Sequence, residues 1–224
     1  MTEPLLPPPD SPELRQAIID ACCRLRQGGY IVGTWGNVSV RLAEGLVITP
    51  SALDYAVLTP DDLVVVSWQG RTLRGRRVPS SEAELHRRLL LARPDLAAVV
   101  HTHPPYASSL ACAHRGLPVM VEDMAQIIGA DVRCTPYTPG GRHQALAEAA
   151  VAGMGGGTAV LLANHGVVVA GRSLDEAVIA TQVLEKAAFI YLTAVAVGGI
   201  VPIPAEMVAE ERHRYLFKYG KPDQ

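Results

Sequence analysis

The stretch Val99-Val100-His101-Thr102-His103-Pro104-Pro105 constrains the fold more than any other. An apolar run closed by two prolines reads as the end of a strand. In extended backbone, residues i and i+2 project to the same side. His101 and His103 therefore present two imidazoles to one spot. Such a pair is either polar residues finishing a strand or part of a metal site, and the rest of the chain decides between the two.

A chain of 224 residues fits one domain with a sizeable core. Its formal net charge of −2 carries no basic excess, so nucleic acid is not an expected partner. Aromatic residues make up only 5% while 49% of the chain is hydrophobic, which points to tight α/β packing with further surface buried between subunits. Cys22, Cys23, Cys112 and Cys134 form no Cys-x-x-Cys pair, and no secretory leader is visible. Reduced thiols in the cytoplasm are expected. Residues 1–10 hold four prolines and no basic run and read as a disordered leader; residues 11–220 read as a single domain and 221–224 as a tail. The apolar stretch Ala187 to Pro204 is broken by Gly198-Gly199 and Pro202, which suits a buried or intersubunit helix better than a membrane span.

Along the chain, Ser11-Pro12-Glu13 opens a helix with a cap, a first-turn proline and an acid, and Gly28-Gly29 closes it. Tyr30-Ile31-Val32 reads as a strand start. Gly33-Thr34-Trp35-Gly36-Asn37 is a small-residue loop, either an ordinary turn or a place where backbone N–H groups approach an anion. An alternating strand (Val38, Val40, Leu42) and a hairpin with Gly45 in its turn follow. Thr49-Pro50-Ser51-Ala52 is a second small polar loop. Residues 63–68 form a strand, and the four arginines between Arg71 and Arg77 form either a solvated basic loop or an attractor for a phosphorylated ligand.

Pro79-Ser80-Ser81-Glu82 begins the next helix, with Ser81 as cap and Glu84 completing a capping box. The same start offers free N–H groups to an anion. Glu82 and His86 share a helix face at a spacing of four, but the second histidine of a His-Glu-x-x-His zinc site is missing. Beyond the His101/His103 strand come a helix over 107–114, a short strand over 117–120 and a turn or short helix from Glu122. An Ala-rich helix then runs over 144–154. Two apolar strands, 158–163 and 167–170, meet at Asn164-His165-Gly166, a tight turn with Gly supplying positive φ and His165 at its apex. A long helix from Leu174 to about Val197, capped by Ser173, precedes a last helix over 205–215.

Three imidazoles with one open position describe a catalytic zinc site, since structural zinc sites close all four positions and favour Cys. A nearby carboxylate, Glu82, then has a proton to move. At this point the sequence resembles the class II aldolase/adducin family, in pattern nearest its fuculose-phosphate aldolases. Five motifs appear in order: Thr34-x-Gly36-Asn37-x-Ser39, Thr49-Pro50-Ser51, Pro79-Ser80-Ser81-Glu82 with Leu85-His86, His101-x-His103, and Asn164-His165-Gly166.

The resemblance implies a three-layer αβα sandwich with a central, mainly antiparallel sheet, assembled as a homotetramer. It implies Zn2+, with Mn2+ or Co2+ as substitutes, held by His101, His103 and His165. Glu82 becomes the catalytic acid/base, touching the metal when no substrate is present. Gly36, Asn37, Ser51, Ala52, Ser80 and Ser81 correspond to the loops that hold a substrate phosphate. Tyr219 corresponds to a tyrosine lent to a neighbouring subunit's site. The implied reaction cleaves a ketose 1-phosphate to dihydroxyacetone phosphate and an aldehyde through a metal-stabilised enediolate. Two positions depart from the pattern: Ala52 stands where the family loop usually has Gly, and Glu122-Asp123-Met124 where the fuculose enzymes carry a tyrosine. Related chemistries on the same fold are a phosphotetronate decarboxylase, a methylthioribulose-phosphate dehydratase and a ribulose-phosphate 4-epimerase. The epimerases carry Asp at the position of Glu82. An adducin-like interaction module lacks the histidines that this chain keeps.

Overall fold

A computed structural model describes residues 6–220. The expected leader and tail therefore lie partly outside the described residues, in 1–5 and 221–224. Residues 6–10 carry no regular structure, but Asp10 is pinned by Arg15 at 2.7 Å and Arg74 at 3.1 Å.

The elements in order are α1 (Pro12–Gln27), β1 (Asn37–Arg41), β2 (Gly45–Ile48), β3 (Val64–Ser67), β4 (Thr72–Arg74), α2 (Ala83–Ala92), β5 (Ala98–Thr102), α3 (Pro105–Cys112), α4 (Glu122–Ile127), α5 (His143–Met154), β6 (Ala159–Leu162), β7 (Gly166–Gly171), α6 (Leu174–Ala196) and α7 (Ala205–Phe217). The seven strands form one sheet in the order β4-β3-β2-β1-β5-β7-β6, and every neighbouring pair is antiparallel. The short periods of Val, Leu and Ala in these strands supply apolar side chains to both faces. Val38, Val40, Val100 and Val169 pack against α1, α3, α4 and α6 on one face. Val99, Val160, Val168 and Ala170 pack against α2 and α5 on the other. Helices thus cover both faces, giving the expected αβα layers.

The register places the chemistry. Asn37 lies opposite His101, Ser39 opposite Val99, and His101 opposite Val168. Side chains of directly paired residues share a face. Asn37, Ser39 and His101 therefore all face the layer that holds α2, and His103 continues that side just past the strand.

Several local expectations are corrected. Residues 30–32 form no strand; Val32 makes only a local bridge to Trp35. Leu117 likewise makes a single bridge, to Val132, rather than a strand over 117–120. Gly45 does not make the hairpin turn, which falls on Ala43-Glu44. It opens β2, where an added Cβ would sit 1.9 Å from the Val66 carbonyl oxygen, so the close approach of β3 is what demands glycine. Arg71 to Arg77 is in part the exposed edge strand β4, and two of its four arginines are paired: Arg74 with Asp10 and Glu44, Arg77 with Asp62. Ser81 does not cap α2. The N-cap is Glu82, whose N–H donates to Ser80 Oγ at 3.2 Å, and Glu84 pairs with Arg87 and Arg88 instead of closing a capping box. By contrast Ser11 and Ser173 cap α1 and α6 as their sequences indicate.

α6 is long and apolar enough to cross a membrane by length and composition. One side of it packs on β5, β7, α1, α3 and α4, and the other exposes Phe189, Leu192 and Val195.

Candidate metal centre and active site

β5 delivers His101, the residue immediately past its end is His103, and the turn before β7 delivers His165. One ligand nitrogen from each lies within 4.8 Å of the others. His101 Nε2 and His103 Nε2 are 2.9 Å apart. A divalent ion with bonds of about 2.0–2.1 Å in a tetrahedron needs nitrogens about 3.3 Å apart, a spacing between the 2.9 Å of this pair and the 4.8 Å within which all three lie. His101 Nδ1 donates to the Val167 carbonyl at 2.9 Å, which leaves Nε2 with its lone pair aimed into the cluster. Burial first, then the neighbouring His101 and His165, push the His103 imidazole down to about 3, so it stays in the unprotonated form a metal requires. The triad can hold a metal ion, and the donor set suits one.

The turn achieves this placement by a route different from the expected one. Asn164, not Gly166, takes positive φ, at 55°. Gly166 is required for space: a Cβ there would lie 2.3 Å from His103 Cδ2 and 2.6 Å from the Thr102 carbonyl oxygen. A side chain at 166 would push His103 out of the cluster.

Glu82, at the start of α2, closes the fourth side. Its Oε2 lies 3.2 Å from His101 Nε2 and its Oε1 3.3 Å from His165 Nε2. Burial acts to raise this carboxyl, but His101, the Asn37 amide donating at 2.7 Å, His165 and His86 together outweigh it, and the net displacement is downward. Glu82 is thus held as a carboxylate beside the histidines.

A cavity of about 380 Å³ opens beside this cluster. Glu82, His103 and His165 line it, and so do Gly36, Asn37, Ser51, Ala52, Ser80 and Ser81, the residues expected to hold phosphate. His101 is fully buried beneath it. Among the described residues, no Lys or Arg lines the cavity. Ala52 sits at φ 56°, the left-handed region where the usual glycine is at ease. Tyr219 is exposed at the end of the chain's described part, with its ring 5.9 Å from that of Tyr215, and does not line this cavity. The cavity also takes in Trp35 and the Gly140-Gly141-His143 segment leading into α5. Sequence reasoning passed over the latter because a glycine pair in a loop says nothing of where the loop lies in space.

His86 does not join Glu82 as a metal ligand. Its ring is wholly buried between Ser39 and Asn37. Burial above all, and His101 next, push it down to about 3. Between the free value near 6.5 and about 3, the unfolded chain binds a proton here that the folded chain refuses. Stability present above pH 6.5 is therefore lost as pH falls toward 3. Denaturant titrations at pH 7, 5.5 and 4 are expected to show a shallower loss for His86→Gln than for the unsubstituted chain; equal slopes would show that His86 does not drive the decline.

The family model for the Class II Aldolase and Adducin N-terminal domain matches residues 16–192. A 5-methylthioribulose-1-phosphate/5-deoxyribulose-1-phosphate aldolase of Rhodospirillum rubrum is 39% identical over 206 residues, covering 92% of this chain and 90% of that protein. An L-fuculose phosphate aldolase of Haemophilus influenzae is 34% identical over 192 residues, covering 85% of this chain and 88% of that protein. A solved L-fuculose 1-phosphate aldolase superposes with a TM-score of 0.88 at 33% identity, covering 92% of this chain and 98% of that one. The chain belongs to the class II aldolase and adducin N-terminal domain family. Within it the chain is an enzyme of the aldolase class, a carbon–carbon lyase.

Proposed function

We propose that the chain is a zinc-dependent aldolase cleaving a ketose 1-phosphate of the 5-deoxyribulose 1-phosphate type into dihydroxyacetone phosphate and a short aldehyde. The observation that carries this reading is a single cavity lined both by the histidine–Glu82 cluster and by the small-residue loops. The similarity to the Rhodospirillum rubrum enzyme supports the unbranched, deoxygenated aldehyde end. Residues 11–220 work as one domain, in the cytoplasm.

His101, His103 and His165 hold the ion. When bound, it supplies a Lewis acid that polarises the substrate ketone. Backbone N–H groups near Gly36 and Ala52, with the hydroxyls of Ser51, Ser80 and Ser81, bind the phosphate without a fixed cation. Asn37 spends one amide hydrogen on Glu82 and keeps a second for the ligand. In cleavage the C4 hydroxyl gives its proton to the Glu82 carboxylate as the C3–C4 bond breaks, releasing the aldehyde. Glu82 then delivers a proton to C3 of the enediolate, giving dihydroxyacetone phosphate.

Tyr219 completes the aldehyde end of a neighbouring subunit's site in a homotetramer, with the exposed face of α6 buried between copies. Tyr219→Phe is expected to slow aldol cleavage about tenfold with unchanged thermal stability; wild-type turnover would remove it from the site. Leu192→Glu, on the exposed α6 face, is expected to reduce the mass measured by light scattering to that of smaller species. An unchanged mass would place the interface elsewhere.

The test is to incubate the enzyme with dihydroxyacetone phosphate and a panel of aldehydes and identify the products by mass. Acetaldehyde is expected to give the deoxypentulose 1-phosphate. Release of carbon dioxide from phosphorylated 3-oxo acids, with no aldol product, would instead make the enzyme a decarboxylase.

A further inference from the structure

β1 reads Asn37-Val38-Ser39-Val40-Arg41, and its valines fill the core on one face. Its polar half is not solvated either: Asn37 is 5% exposed and Ser39 and His86 are 0% exposed. Buried polar groups cost several kcal/mol unless each is paired, and here the pairing runs in one direction. A carboxylate only accepts hydrogen bonds, so the Asn37 atom 2.7 Å from Glu82 Oε2 is the amide nitrogen. Asn37 Oδ1 must then face His86 Nε2, at 2.5 Å, and that ring nitrogen carries the hydrogen. His86 Nδ1 is left with a lone pair and accepts from the Ser39 hydroxyl at 2.7 Å. Every donor in the chain points toward Glu82. Reversing any member turns an oxygen against the carboxylate.

We propose that His86 is a positioning residue for the proton shuttle: as the Nε2–H tautomer, with its Nδ1 satisfied by the Ser39 hydroxyl, it locks the Asn37 amide with its nitrogen toward Glu82, and so fixes the carboxylate against the histidine cluster. The proposal rests on the reading of Glu82 as the group that moves the C3 proton. His86 does not line the cavity, and its ring is linked by hydrogen bonds to the Glu82 carboxylate through Asn37. Burial keeps the ring unprotonated, so the direction of the chain does not reverse in the neutral range. The oxygen-to-nitrogen order matters more than the volume, because a misaimed carboxylate loses catalytic advantage steeply with small displacements.

The experiment follows hydrogen–deuterium exchange at C3 of dihydroxyacetone phosphate in deuterium oxide with the metal-loaded enzyme, a readout that needs no aldehyde. His86→Phe keeps the ring and removes both hydrogen bonds. It is expected to slow exchange about 30-fold while half-saturation by dihydroxyacetone phosphate and metal content stay within about twofold. His86→Gln places an amide N–H near the former Nε2–H and is expected to recover to within about fivefold of the unsubstituted rate. Asn37→Ala and Asn37→Ala/His86→Phe are expected to exchange at equal rates, since His86 has nothing left to act through.

Unimpaired exchange in His86→Phe overturns the proposal, and so do multiplicative effects of the two substitutions or a Gln variant as slow as Phe. If His86→Phe does not fold, Ser39→Ala reads the chain from its far end: about fivefold slower exchange at unchanged half-saturation is expected, and an unchanged rate overturns it. Glu82→Gln is run alongside. Exchange surviving in that variant overturns the assignment of Glu82 itself, whereas its loss beside an unimpaired His86→Phe overturns the positioning role alone.

Discussion

Glu82→Gln is expected to fold, to keep its metal and to lose about three orders of magnitude in cleavage rate. The substitution preserves shape and volume, so the α2 start and the cavity wall stay in place. What disappears is the group able to hold and return a proton; such groups contribute about 10²–10⁴-fold to rate. The carboxylate lies 3.2 Å from His101 Nε2 and 3.3 Å from His165 Nε2, within the cluster and on the cavity wall together. Among the described residues, no second carboxylate lines the cavity to take over. Cleavage of 5-deoxyribulose 1-phosphate, coupled to detection of dihydroxyacetone phosphate, measures the effect. Retained turnover with normal metal content would remove Glu82 as the proton shuttle.

The second large effect is expected at His101. His101→Ala removes the fully buried member of the triad and the bond from its Nδ1 to the Val167 carbonyl. Two imidazoles remain, one short of the three that the cluster brings together. Metal content is expected to fall from about one ion per chain to well below a tenth, with loss of measurable turnover. The empty space and the unpartnered Val167 carbonyl cost about 2–4 kcal/mol in addition. Metal analysis and denaturant titration read the two consequences separately. A variant with full metal content would show that the cluster is not the binding site.

The parts of this fold legible from sequence are those governed by local period and local chemistry. A two-residue period put His101 and His103 on one side, and the 2.9 Å between their Nε2 atoms bears that out. Ser11-Pro12 and Ser173 announced helix starts because capping is a matter of the nearest three residues. Where tertiary contacts decide, the sequence was silent or misleading. Ser80-Ser81 carries a capping pattern, yet the helix begins at Glu82, with the carboxylate turned to the histidines. Gly166 reads as a turn glycine, while its function is to leave room for His103.

The candidate site divides the same way. The three histidines and the small-residue loops were recognisable one by one as candidates, and the fold brings His103, His165 and those loops to one cavity with His101 buried beneath it. The hydrogen-bonded chain from Ser39 to Glu82 was not recognisable, although all its members sat in quoted motifs. The spacing of Glu82 and His86 shows a shared helix face but not what that face meets. Only the pairing of β1 with β5 turns Asn37 and Ser39 toward α2. Trp35 and the segment before α5 reach the cavity through the path of the chain, which no local pattern encodes.

The most direct test of the metal-and-carboxylate account uses one substrate and no aldehyde. Incubated with dihydroxyacetone phosphate in deuterium oxide, the metal-loaded protein is predicted to exchange one of the two C3 hydrogens, and to stop doing so in Glu82→Gln and after chelation of the metal. Exchange of both hydrogens, or exchange at the unsubstituted rate without Glu82 or without metal, would contradict it.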